Sequence, residues 1–355
     1  MSRVRQAVIM AGGEGTRLRP LTNTCPKPLL PVLGRPCMEY VIRSLVKAGV
    51  EEVFLALGYR SEDVVKALGN GSELDARIVY AYEDVPMGTA GAVKLLEDRL
   101  DDTFVVGSGD TLTDADLSHL IDFHFTRGAV ATMGLTEVEA PEQFGIVGTA
   151  ADGRIERFKE KPKSEEVFSR VINAGTYVMT REALELVPCA TKYDFSKNLF
   201  PDLLSRGMPL YAMPLHGYWK DIGRPSDLYQ ANIDMAARRG EPSFIKGAVT
   251  EGEVVDEGVV ADGAEIVGTS FLGANTRLEG SRVERSALNA DCFAGEGAEI
   301  VRSLLLNGCH ISASACVTEC ILGRGCFVGP GVSLAGTVLG DGVRVEGPES
   351  LDAKR

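Results

Sequence analysis

A chain of 355 residues exceeds what one hydrophobic core normally organises, so two domains of unequal size are expected. With 45% apolar and 25% charged residues and no apolar run long enough to span a bilayer, the composition excludes a membrane protein. A formal charge of −13 excludes a sequence-independent nucleic-acid binder and requires that any anionic ligand be held by a local basic site.

The apolar stretch near the N-terminus, VIMA, runs into Gly12 and Gly13 after too few residues to serve as a secretory h-region. Eight cysteines without dense spacing then read as reduced thiols, and a cytoplasmic location is expected. QAVIMA (6–11) reads as a short buried strand opening on glycines. PCMEYVIRSLVKA (36–48) has helical spacing with proline at its start, VEEVFLALGY (50–59) reads as a strand, and SEDVVKAL (61–68) as a helix capped by Ser61. ARIVYAYE (76–83), TFVVGSGD (103–110) and AVATMGLTEV (129–138) continue as strands with helices between them. This alternation predicts an α/β fold with a mostly parallel, Rossmann-like sheet and ligands at the carboxyl ends of its strands.

From about residue 247 the pattern changes. Val254, Val260, Ile266, Leu272 and Leu278 are spaced by six, as are Leu288, Ala294, Ile300 and Leu306, then Leu322, Val328 and Leu334, then Leu339 and Val345. A six-residue period with small residues between the aliphatics predicts a parallel β-helix, its glycines turning the corners. The phase slips after Leu278 and between Ile311 and Leu322, where bulged corners or short insertions are expected. Domains are therefore expected over 1–240 and 241–355. The repeats stop near Val345, leaving a polar tail of ten residues, and the open ends of such a helix predict a homodimer or homotetramer formed through it.

Two segments carry chemistry. Ala11-Gly12-Gly13-Glu14-Gly15-Thr16-Arg17 follows the first strand and satisfies neither the Walker A nor the GxGxxG spacing. Taken alone it is either a phosphate cradle with Arg17 as a forked cation or a tight surface turn. In Cys25-Pro26-Lys27-Pro28, prolines on both sides of one lysine stiffen the backbone and aim a single ammonium. The four histidines form no triad or ligand spacing and are expected to be structural, with Trp219 packed beneath the loop at Asp221.

With GGEGTRLRPLT and PKPLLP in this order, the chain resembles the sugar-1-phosphate nucleotidyltransferases. The resemblance continues through PMGTAGA (86–92), Gly109-Asp110, FGIV (144–147), FKEKP (158–162), NAGTY (173–177) and WKDIG (219–223). Longer members, such as the GDP-mannose pyrophosphorylases, carry a left-handed β-helix like the one expected here. The resemblance implies attack of a sugar-1-phosphate oxygen on the α-phosphorus of a nucleoside triphosphate, releasing pyrophosphate without a covalent intermediate. It assigns catalysis to Arg17, Lys27 and Lys161. Nucleotide binding falls to Ala11, Gly12, Gly13, Gly15, Thr16, Arg17, Glu83, Gly88, Thr89 and Asp110. Sugar-phosphate binding falls to Gly145, Glu160, Lys161 and Asn173, and Mg2+ to Asp110 and Asp221. Glu83 occupies a slot that holds glutamine in thymidylyl and uridylyl relatives. A carboxylate there can accept from both N1–H and N2–H2 of guanine, which points to GTP, with mannose-1-phosphate as the favoured sugar. The alternatives are a glucose-1-phosphate thymidylyl- or uridylyltransferase, a heptose-1-phosphate guanylyltransferase and a non-catalytic nucleotide-sugar sensor. An added acetyltransferase site on the β-helix is a further alternative, opposed by His310 being the one histidine there.

Overall fold

The computed structural model describes residues 4–58, 60–83, 85–238, 248–250 and 253–347, so the expected junction at 240/241 and most of the polar tail lie outside the described residues. The chain divides into two compact units. The first comprises Met1–Gly13 and Met38–Lys220, the second Glu14–Cys37 and Asp221–Arg355.

The first unit is built on β1 (Gln6–Ala11), in which Ala7, Val8 and Ile9 are fully buried, as expected for a strand covered on both faces. It pairs in parallel with β2 (Glu52–Leu57) and β4 (Thr103–Ser108), and β2 pairs in parallel with β3 (Arg77–Tyr82). Helix α1 (Cys37–Lys47) buries Met38, Val41, Ile42 and Leu45, one stripe at helical spacing. Helix α2 (Ser61–Leu68) starts differently from expectation. Arg60, not Ser61, is the capping residue; it sits in the left-handed region and its Nε reaches Asp63 Oδ2 at 2.6 Å, so an ion pair replaces the hydroxyl cap.

The expected Rossmann-like parallel sheet is the stretch β4-β1-β2-β3. Antiparallel strands extend it on one side: β6 (Gly145–Thr149), β7 (Ile155–Glu160) and β8 (Val171–Thr180), giving the order β7-β6-β8-β4-β1-β2-β3. Strand β5 (Ala131–Glu137) pairs antiparallel with β8 and parallel with β9 (Leu210–Pro214). Val8, Phe54, Val106, Tyr177, Phe195 and Phe200 belong to the core beneath this sheet, with Tyr177 and Phe200 in edge contact at 4.9 Å.

In the second unit three parallel ladders form the sides of a β-helix. One inward column runs Leu272, Leu288, Leu305, Leu322, Leu339; a second runs Leu278, Ala294, Ile311, Val328, Val345; a third runs Ile266, Val283, Ile300, Val317, Leu334. From Leu288 onwards each column repeats every 17 residues, because a coil takes steps of six, six and five. The apparent slips are thus the regular short corner of each coil, and only the step from Leu278 to Val283 shortens a coil further. Register also corrects particular positions. Val260 is 49% exposed and its neighbour Ala261 pairs with Leu278, while Val254 pairs with Phe271 rather than Leu272. Leu306 is buried, but Leu305 occupies the column. Cys292, Cys309 and Cys326 share the 17-residue repeat, and each thiol donates to a backbone carbonyl, of Leu306, Gly323 and Gly340 respectively.

Candidate active site

Seven of the expected nucleotide ligands line one cavity of about 290 Å3 in the first unit, beside the carboxyl ends of β1 and β4: Ala11, Gly12, Gly13, Glu83, Gly88, Thr89 and Asp110. Their backbone requirements are specific. A side chain at Gly58 would place Cβ 2.9 Å from the Gly12 carbonyl, so two glycines let β1 and β2 exit side by side. Gly88 has φ +75°, and a Cβ there would lie 2.8 Å from the Tyr193 carbonyl. Helix α3 (Gly88–Lys94) is held by this remote segment: Ala90 and Gly91 N–H both donate to Tyr193 O, and Thr89 N–H donates to Asp194 Oδ1 at 3.2 Å. Glu83 accepts the Met87 N–H at Oε2, 2.9 Å away, and directs Oε1 toward Gly12. Asp110 accepts the Ser108 hydroxyl.

The expected sugar-phosphate ligands gather around β6, β7 and β8. Gly145 pairs with Glu160, and a Cβ at Gly145 would come within 2.8 Å of the Phe158 ring and 2.9 Å of Glu160 Oε2. Lys161 follows at φ +45°, its N–H bonded to Phe144 O, a bend that takes the chain out of the strand. Burial raises the pKa of Glu160, and the Lys161 ammonium opposes the shift. Asn173 accepts the Gly175 N–H and donates to the Tyr177 hydroxyl at 2.8 Å and to Ser196 at 3.4 Å. Ser196 also bonds Glu160, so one hydroxyl links the two expected sugar ligands. Trp219 donates Nε1–H to Ala174 O at 2.8 Å and meets Phe144 edge-on at 5.8 Å, tying the Asn173 and Gly145 segments together.

The second unit holds the rest. Gly15 is left-handed, and Thr22 bonds its carbonyl to close the turn that carries Thr16 and Arg17. Arg17 is exposed, whereas Lys27 is 7% exposed, with Nζ 3.6 Å from Asp221 Oδ1. A buried ammonium requires such a counter-charge. A Cβ on Gly223 would stand 2.8 Å from Asp221 Oδ2 and 3.5 Å from an Arg17 guanidinium nitrogen, so that glycine lets Arg17, Lys27 and Asp221 converge. Asp110 belongs to the first unit and Asp221 to the second. Among the described residues no group of three or more His, Cys, Asp or Glu side chains forms a metal cage. The chemistry of the donors, carboxylate oxygens, fits a hard divalent cation that completes its shell with phosphate oxygens and water.

Gly58, Ser108, Tyr193, Asp194 and Ser196 were not foreseen from sequence. Each acts on a segment distant in the chain or through a single backbone contact, and none stands in a recognisable motif.

Among the described residues no helix is long and apolar enough to cross a membrane. The family described as Nucleotidyl transferase matches residues 6–238, and that described as the GMPPB C-terminal domain matches residues 254–352. A UTP–glucose-1-phosphate uridylyltransferase of Synechocystis is 34% identical, covering 77% of this chain and 75% of the relative. A mannose-1-phosphate guanylyltransferase of Mycobacterium tuberculosis is 35% identical, covering 78% of each. The solved structure of HddC from Yersinia pseudotuberculosis superposes with a TM-score of 0.57 at 25% identity, covering 65% of this chain and all of that one.

Proposed function

Because the chain belongs to the nucleotidyl transferase family, as an enzyme that transfers a nucleotidyl group to a sugar-1-phosphate, we propose that it joins GTP and mannose-1-phosphate into GDP-mannose and pyrophosphate. The observation that carries the base assignment is Glu83: its carboxylate lines the cavity with Gly12, Gly88 and Thr89, and Oε1 can accept from a guanine N–H. Oε2 also holds the Met87 N–H, which orients the carboxylate, and its second lone pair stays open to the other guanine donor, so the parallel pair of contacts is part of the proposal.

In this reading a phosphate oxygen of the sugar-1-phosphate forms a bond to the α-phosphorus as the bond to the pyrophosphate oxygen breaks. No protein nucleophile is needed, so catalysis consists of alignment and charge neutralisation. Ala11, Gly12, Gly13, Gly15 and Thr16 present backbone to the triphosphate, and Arg17 binds it as a forked cation. Lys27, preset by its prolines and by Asp221, opposes charge gathering at the α-phosphate. Lys161 neutralises the incoming sugar phosphate, while Glu160 and Asn173 read sugar hydroxyls and Gly145 leaves room for them. A divalent metal belongs to the family's chemistry; Mg2+ held by Asp110 and Asp221 would supply further charge neutralisation on the phosphates.

The catalytic domain is proposed to span 1–240 and the β-helix 241–355, in a cytoplasmic homodimer or homotetramer assembled through the β-helix. The uridylyltransferase relative favours a second reading, UTP with glucose-1-phosphate. Pyrophosphate release measured for GTP, UTP, dTTP, ATP and CTP against a panel of sugar-1-phosphates with Mg2+ decides between them. GTP with mannose-1-phosphate should give the highest kcat/KM, and a higher value for any other pair replaces the assignment.

A further inference from the structure

The segment that carries Arg17 and Lys27 clusters with the β-helix rather than with the Rossmann-like sheet. Its contacts there are polar and specific. Asp341, on a late coil, divides its carboxylate: Oδ1 accepts the Arg324 backbone N–H at 2.7 Å, and Oδ2 accepts the Thr24 hydroxyl at 2.8 Å. The guanidinium of Arg324 reaches the next residue, donating to Cys25 Sγ at 3.0 Å, where Cys25 is buried. Gly340 abuts Pro20 on the same coil, with 3.3 Å between a Cβ placed there and the proline ring.

We infer that Asp341 and Arg324 are positioning residues for the nucleotidyl transfer, a clamp on Thr24 and Cys25 through which the β-helix aims Lys27. The inference rests on the role given above to Lys27. Mechanical coupling follows from the chain: Pro26 and Pro28 flank Lys27 and fix φ on either side, so displacement of residues 24 and 25 moves the lysine stem instead of being absorbed by backbone rotation. The far end of the segment is pinned as well, by the fully buried Asn289, whose Oδ1 accepts the Gly34 N–H at 3.0 Å while its Nδ2 donates to Leu305 O. Lys27 thus stands between two anchors supplied by β-helix side chains. A domain serving only assembly would have no need to bond this segment at both ends.

The test uses the full-length protein, with GTP and mannose-1-phosphate or whichever pair the release screen identifies. Thr24→Val and Asp341→Ala each remove the same hydrogen bond, and Arg324→Ala removes the contact to Cys25. Glu319→Ala, which breaks the exposed ion pair with Arg302 at 2.9 Å elsewhere on the β-helix, is the control. Misplacing an aimed charge by a fraction of an ångström should lower kcat about tenfold or more with KM values within about twofold. The Glu319 variant should turn over normally, and Thr24→Val combined with Asp341→Ala should be no slower than the slower single variant. Turnover within twofold of wild type in Thr24→Val and Asp341→Ala overturns the clamp, and so do losses that multiply in the double variant. If Asp341→Ala does not fold, Thr24→Val decides alone. Lys27→Ala, measured alongside, separates the two ideas: a slow Lys27 variant with fast clamp variants removes only the clamp, whereas a fast Lys27 variant removes the role of Lys27 and the clamp with it.

Discussion

Lys27 retains 7% of its surface beside the Asp221 carboxylate, and an ammonium that has lost most of its water interacts strongly with any phosphate that reaches it. Lys27→Ala is therefore expected to lower kcat by about 10²-fold, with smaller effects on KM, because charge stabilisation in the transition state is lost. Near-normal turnover in a rapid-quench assay would remove Lys27 from the chemistry. Glu83 offers a different test. In Glu83→Gln the amide oxygen can still hold the Met87 N–H, but an NH2 group replaces Oε1 toward the cavity and can no longer accept from guanine. The ratio of kcat/KM for GTP over UTP should fall on the order of tenfold or more; an unchanged ratio would assign Glu83 solely to closing the turn at Met87. Both residues were legible in the sequence, the lysine from its flanking prolines and the glutamate from its slot before Gly88. That Met87 occupies one carboxylate oxygen was not legible, since it depends on a turn whose path no side-chain pattern records. Ser196 and Asp194 stayed hidden for a related reason: they meet Asn173 and Thr89 only after the chain has folded back.

At the scale of elements, helix α4 (Ser118–Arg127) shows what burial does to an ionisable group. His124 is 2% exposed, with Nδ1 2.9 Å from the hydroxyl of Thr132 on β5, and burial pushes its pKa down to about 4. The unfolded chain takes up this proton near pH 6.5, whereas the folded chain resists until about pH 4. Between those values the unfolded state binds more protons, so stability is full above the unfolded pKa and falls as pH falls. Urea unfolding at pH 7 and pH 5 should show wild type losing more stability than His124→Gln, whose amide keeps a bond to Thr132 without the titration. Equal losses would show that His124 titrates near its ordinary value. The β-helix illustrates how an element becomes partly legible. From Leu288 onwards a six-residue period marks two corners of each coil and a five-residue step the third; earlier, the five-residue step falls between Ala261 and Ile266, so the aliphatic at 260 looked inward while Ala261 takes the register position opposite Leu278. Reading Leu288, Leu305, Leu322 and Leu339 together at 17 residues restores the register.

On the scale of the whole molecule, the membership of residues 14–37 could not be read from sequence, because the partners of Thr24 and Cys25 lie some three hundred residues further on. The consequence is that the two units should lose their functions separately on heating. Coils of a β-helix contact only their neighbours, so damage to a late coil is felt first by the coils beside it. Leu322→Ala removes a fully buried side chain two residues from Arg324 and should cost about 2–5 kcal/mol locally. Trp219, the one tryptophan in the chain, lies in the first unit against Phe144 and Ala174, so its fluorescence reports that unit alone. In Leu322→Ala, catalytic activity should disappear at a temperature several degrees below the Trp219 fluorescence transition, which should stay near its wild-type value, because the grip on Thr24 and Cys25 loosens while the sheet is intact. Activity and fluorescence curves that shift together would mean that the β-helix and the sheet melt as one, and that the late coils stabilise the whole enzyme rather than its lysine segment.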